Sequence, residues 1–251
     1  MGGRVGRAAG AHDNVRVTER LRAVPTDTMH LWLMLVLTFT TGINDAVGYL
    51  GLDKVFTGNM TGNVVVLGMA LTGGTGLPVL GPALALVAFL LGAALGGRVL
   101  KGEKDPWSPR ATGLFALVAV VMLALAALLL GAGDDPSRAI MNTTTTIAAL
   151  AMGTQAAAAR HIAVKDVTTV VVTSTLTGLA ADSPIGAGKA GWLAGGTGRR
   201  LTAVVLILLG ALVGAALLKV HLGAGLLVAG VVIAATTVVG SWHHRAVGAV
   251  A

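Results

Sequence analysis

The sequence predicts an all-α membrane protein of six transmembrane helices plus two short re-entrant or broken helices, arranged as two inverted repeats. Three observations carry this reading. The 251 residues are 55% hydrophobic and only 12% charged, against about 25% charged residues in a soluble domain. Eight apolar segments succeed one another along the chain, two of them short and rich in Thr, Asn and Gly. The Lys and Arg residues are also spaced so that only one topology gathers them on one side.

Residues 1–29 hold five arginines and little apolar density, and read as a flexible basic cytoplasmic tail. No small-residue cleavage site follows a short apolar core, so a cleaved signal is not expected. The apolar segments fall near 30–51, 55–72, 78–98, 111–131, 138–159, 167–181, 201–219 and 222–241. Six of them are long enough as helices to cross about 30 Å of hydrocarbon. The second begins in a Gly/Asn/Thr cluster, and the sixth, VTTVVVTSTLTGLAA, is full of threonine.

Charge decides how the two short segments are threaded. If all eight cross, Arg98, Lys101, Lys104 and Arg110 face outward, against the positive-inside tendency. If the second and sixth segments dip in and return, six crossings remain and both termini are cytoplasmic. Of the 18 Lys and Arg, only Lys54, Arg138 and Lys219 then lie outside. Trp32, Trp107, Trp192 and Trp242 fall at the inner interface, where indoles favour the headgroup region.

The halves also match each other. TTGINDAVGYLGLDKV at 40–55 parallels AMGTQAAAARHIAVKDV at 151–167, setting Gly42 against Gly153 and Asn44 against Gln155. TGNMTGN from Thr57 parallels TSTLTGL from Thr173. The first membrane repeat is read as 30–131, the second as 138–241, and 242–251 as a short cytoplasmic C-terminus. Three crossings per copy force the second copy to insert upside down, as in transporters whose sites lie near the midplane between repeats.

The motifs GINDAVGYLGLDKVFTGNMTGNVVVLG and AMGTQAAAARHIAVKDVTTVVVTSTLTGLAAD resemble the YoaK-like family of bacterial multi-pass membrane proteins, over about 30–240. The resemblance implies a bacterial cell (inner) membrane protein. It supplies no substrate, cofactor or catalytic residue.

The polar residues at membrane depth form the candidate site. Asp45 is a costly residue in hydrocarbon, and such acids face an interior or a water-filled cavity. It reads either as a proton or cation site or as a cap on backbone N–H groups freed where the helix breaks at Gly42 and Gly48. Thr57, Asn59, Thr61 and Asn63 recur every second residue and would line one side of an extended lead-in to a helix starting near Met60. The positive end of that helix would favour an anionic or strongly polar ligand. Asn44 with Gln155, and Thr173, Thr175 and Thr177 from the second half, complete the expected substrate-binding set; the alternative is that these groups only bond one another. Gly92-x-x-x-Gly96 and Gly210-x-x-x-Gly214 are read as close helix packing, inside the chain or in a homodimer.

No cysteine is present, the six histidines make no metal pattern, and no hydrolase or Walker sequence appears. Neither an enzyme, a cofactor, a metal nor a nucleic-acid partner is expected; the partner is the lipid bilayer. The leading function is a transporter or permeation protein for a small polar or anionic solute. The alternative is a non-transporting sensor or assembly subunit.

Overall fold

The computed structural model describes residues 22–133, 135–164, 172–183, 185–186 and 196–248. The tail before residue 22, Asp134, Lys165, Asp166, residues 167–171, Lys189 and Trp192 lie outside the described residues.

Eight long or medium helices and no strand make up the described residues: α1 (Thr26–Gly51), α2 (Met60–Ala70), α3 (Leu80–Val99), α4 (Pro109–Ala132), α5 (Arg138–Ile162), α6 (Val172–Ala181), α7 (Gly196–Leu218) and α8 (Ala224–Gly248). Each of the eight apolar segments holds one helix. α1, α3, α4, α7 and α8 are long and apolar enough to cross a membrane. α5 has the length, with 25 residues, but its threonines and Gln155 lower its apolarity. This is a multi-pass membrane protein: large apolar side chains such as Leu90, Leu95, Val120, Leu208, Leu212 and Val231 are more than half exposed, on a scale that a soluble surface does not tolerate.

Local sequence sets several helix ends. α4 begins with Ser108 accepting from the Ala111 N–H, followed by Pro109 at the first helical position. α5 begins with Ser137 accepting from the Ile140 N–H. α1 is continuous from Thr26 to Gly51, so the helix break expected at Gly42 and Gly48 is not there. Both glycines have another use. Gly42 lies against the Ile207 carbonyl of α7, and Gly48 against the Val55 carbonyl where the chain turns back on itself.

The helices pair in a repeating pattern. α3 packs on α5, and α1 packs on α7; α2 packs on α3, and α6 on α7; α4 packs on α5, and α1 on α8; α4 and α8 pack on each other, as do α1 and α5; α7 also touches α8, a contact outside this pattern. Glycines set the two closest crossings. A Cβ on Gly92 would strike the Leu150 carbonyl, and one on Gly153 the Phe89 carbonyl. In the other pair, a Cβ on Gly210 would strike the Phe39 carbonyl, and one on Gly42 the Ile207 carbonyl. Gly96 and Gly214 sit one turn further along, against Thr154 and Ile43. The small-residue faces therefore pack within the chain, backbone to backbone.

The main core runs through α1, α4 and α8, with Leu37, Ile43, Val47, Val118, Met122, Leu226 and Ile233 fully buried. Trp107 belongs to it. It is buried and stacks with His30 and Phe115, so its indole packs inside the chain. Trp32 and Trp242 are half-exposed, as an interfacial indole requires.

Candidate functional site

After α1 the chain reverses through Asp53 and Lys54, both with positive φ, and runs back beside the last two turns of the helix. The chain at Gly58 then lies level with Asp45. One carboxylate oxygen of Asp45, Oδ1, accepts the Gly58 N–H at 2.7 Å and the Asn59 N–H at 3.2 Å. These N–H groups stand just before the first turn of α2, which starts at Met60 as the sequence suggested. Asp45 therefore caps the backbone, but across the α1–α2 reversal and not at a break in its own helix. The positive end of α2 meets this carboxylate where an anionic ligand was expected.

The alternating polar series divides into distinct roles. Asn59 is the N-cap of α2 and accepts the Gly62 N–H at 3.1 Å. Asn63 is fully buried and clamps the Phe56 backbone, accepting its N–H at 2.9 Å and donating to its carbonyl at 2.6 Å. Thr61 is on the exterior. Thr57 is fully buried, and its hydroxyl has no hydrogen-bond partner among the described residues. In the second half Thr173 and Thr177 are exposed, with the Thr177 hydroxyl donating to the Thr173 carbonyl at 3.0 Å, while Thr175 is buried.

The remaining pair lies at the contact between α1 and α5. Asn44 and Gln155 are both fully buried. Asn44 Nδ2 lies 3.2 Å from the Met152 sulfur, and its Oδ1 has no partner. Neither Oε1 nor Nε2 of Gln155 has one. The Thr144 hydroxyl is also buried and unpaired. Most other buried hydroxyls of these helices bond their own backbone: Thr40 and Thr41 donate to the Leu37 carbonyl, and Thr154 to the Leu150 carbonyl. Buried polar atoms without partners are uncommon, so their concentration on α1, α5 and the Thr57–Gly58 turn marks this place. Gly58 joins the parts, since a Cβ there would touch Thr41, Met152 and Asp45.

Two members of this cluster, Thr41 and Met152, were absent from the sequence-derived set. Met152 and Gln155 share a helical face at a spacing of three residues, which was a usable signal. Low-complexity Ala/Thr sequence around them obscured it.

Comparisons with known proteins agree with this architecture. The family described as "Protein of unknown function (DUF1275)" matches residues 33–239. The transmembrane protein YoaK of Bacillus subtilis (strain 168) is 32% identical over 151 residues, covering 60% of this chain and 65% of YoaK. The match thus spans just under two thirds of that relative's length. No solved structure matches. With nearly the whole helical bundle inside the matched range, the chain belongs to the DUF1275 family of membrane proteins.

Proposed function

We propose that this protein is a transporter or permeation protein for a small polar solute, built from two inverted halves, with its site at the α1–α5 contact. The observation that carries the reading is the pair of fully buried amides, Asn44 and Gln155, with three side-chain atoms unpaired between them. Two amides offer both donors and acceptors, which suits a neutral polar solute. Asp45 at the head of α2 weighs against an anion. No enzymatic role is proposed.

The pairing of helices supports a two-fold repeat, and three crossings per copy would invert one copy against the other. Exchanging α1–α4 for α5–α8 turns the α3–α5 contact into α7–α1, α2–α3 into α6–α7 and α4–α5 into α8–α1; all of these contacts exist. The glycine crossings exchange in the same way, Gly92 with Gly210 and Gly153 with Gly42. Re-entry is supported by length: α2 has 11 residues, about 16 Å, roughly half the hydrocarbon thickness. The chain lies in the bacterial inner membrane with both termini cytoplasmic in this reading, and α5 makes the sixth crossing.

Cysteine labelling tests the threading. Asp53→Cys and Thr75→Cys should label from one side, because α2 returns to the face it left, and Lys101→Cys from the other. Opposite labelling of the first two sinks the re-entrant reading. Ser108 is unsuited as a label site because it is a fully buried N-cap.

Transport is tested in proteoliposomes by light scattering after osmotic shock with glycerol, urea, formamide and acetate in turn. At least one neutral solute should enter faster than into empty liposomes. Gln155→Leu should slow it roughly tenfold while leaving stability equal or up to about 1–3 kcal/mol higher, since unpaired buried polar atoms are removed. If no solute enters faster and Gln155→Leu only stabilises, the amides are structural and the non-transporting alternative replaces this one.

A further inference from the structure

At the end of the bundle where α1 begins and α8 ends, a cavity of about 240 Å³ opens between these helices and the loop joining α3 to α4. Its walls carry Asp27 and His30 from α1, Asp105 and Trp107 from the loop, and His243 and His244 from α8. Among the described residues no lysine or arginine lines it.

Most of these groups are tied into the fold. His243 Nε2 lies 3.0 Å from the Val24 carbonyl; a carbonyl only accepts, so Nε2 is the donor there. His244 Nδ1 lies 3.4 Å from the Asp105 carboxylate. His161, at the end of α5, meets the Asp105 backbone carbonyl at 3.1 Å and buttresses the loop. Trp107 stacks with His30 and Phe115 and donates its indole N–H to Thr112. His30 is the exception. It is 7% exposed and lines the cavity, and its ring nitrogens have no hydrogen-bond partner among the described residues.

The lining is thus rich in acceptors: two carboxylates from different elements and imidazole nitrogens from two helices. Among the described residues no three of these groups converge closely enough to hold a metal ion. A primary ammonium fits better, because its three N–H donors reach acceptors spread around it and its charge meets two carboxylates. Both α1 and α8 are long and apolar enough to span, so their ends stand at headgroup level.

We propose that this cavity binds a primary ammonium group, presented by an aminophospholipid headgroup or by a free small amine. The full-length protein in detergent and amine-free buffer is titrated with phosphatidylethanolamine, phosphatidylcholine and ethanolamine, following the thermal midpoint and, for the lipids, retention in native mass spectrometry. Phosphatidylethanolamine should raise the midpoint by several degrees, and phosphatidylcholine, whose quaternary nitrogen has no N–H, should not. Stabilisation by phosphatidylethanolamine alone identifies the lipid source; stabilisation by millimolar ethanolamine as well identifies the free amine. Asp27→Asn with Asp105→Asn should weaken apparent binding roughly tenfold. His30→Phe keeps an aromatic ring on Trp107 and removes the acceptor; it should weaken binding as well, and it carries the test if the double variant does not fold. Equal effects of the two lipids, no effect of either amine, or undiminished binding in the folded variants overturns the proposal.

Discussion

Gly92→Ala should destabilise the protein by about 3 kcal/mol or more, the range reached when a close-packed interior is forced apart. The added Cβ would meet the Leu150 carbonyl oxygen, a backbone atom that no rotamer change can move. α3 and α5 would have to separate along their whole contact, and Gly96 and Gly153 would lose their close approach with it. Gly97→Ala is the control on the same helix. An added Cβ there meets nothing within 4 Å, and Ala gains about 0.5–1 kcal/mol over Gly in a helix interior. Thermal unfolding in detergent, followed by tryptophan fluorescence, should therefore show opposite shifts for two glycines five residues apart. Gly210→Ala should reproduce the Gly92→Ala loss, because Phe39 stands to Gly210 as Leu150 stands to Gly92. A tolerated Gly210→Ala would break the equivalence of the two crossings.

Asp45→Ala should loosen the α1–α2 reversal and cost about 1–3 kcal/mol, the penalty for leaving a buried N–H without its acceptor. Gly58 is buried, and its N–H has the 2.7 Å bond to Oδ1 as its anchor. Asp45→Asn keeps an oxygen where Oδ1 stands and should cost clearly less. Hydrogen exchange at residues 56–62 is the direct measure: faster in the Ala variant, near wild type in the Asn variant. Equal exchange in all three would remove the capping role. The Asn variant also isolates charge from shape in the osmotic assay. If the wild type shows a pH dependence of solute permeation and the Asn variant loses it, Asp45 couples to a proton as well as capping; unchanged permeation at every pH leaves it as a cap.

The amide cluster and the cavity at the end of the bundle differ in what surrounds them. Asn44 and Gln155 sit on the two helices most enclosed by others, where a polar group has neither water nor lipid headgroup to bond. His30 and Asp27 sit at a helix end, where aqueous ions and headgroups both arrive. The transport proposal rests on the first place, and the ammonium proposal on the second.

The sequence by itself determined the class and the eight apolar segments, and it aligned Gly42 with Gly153, each of which lies against the backbone of a partner helix. Those features are one-dimensional: length and apolarity are all a membrane asks of a spanning helix. Only the tertiary structure decided what each polar residue does. Asn59, Thr61 and Asn63 share a spacing of two, but the chain turns from extended to helical at Met60, so the series is split between a cap, the exterior and a buried clamp. Asp45 and Gly58 are thirteen residues apart, and their meeting depends on the reversal at Asp53 and Lys54. Met152 became part of the site because α5 is enclosed on the side it occupies, and Trp107 became core because α1 and α4 close over it. Side-chain chemistry is local, whereas burial and partnership are set by which helices cross, and those crossings are fixed by backbone contacts at a few glycines far apart in the chain.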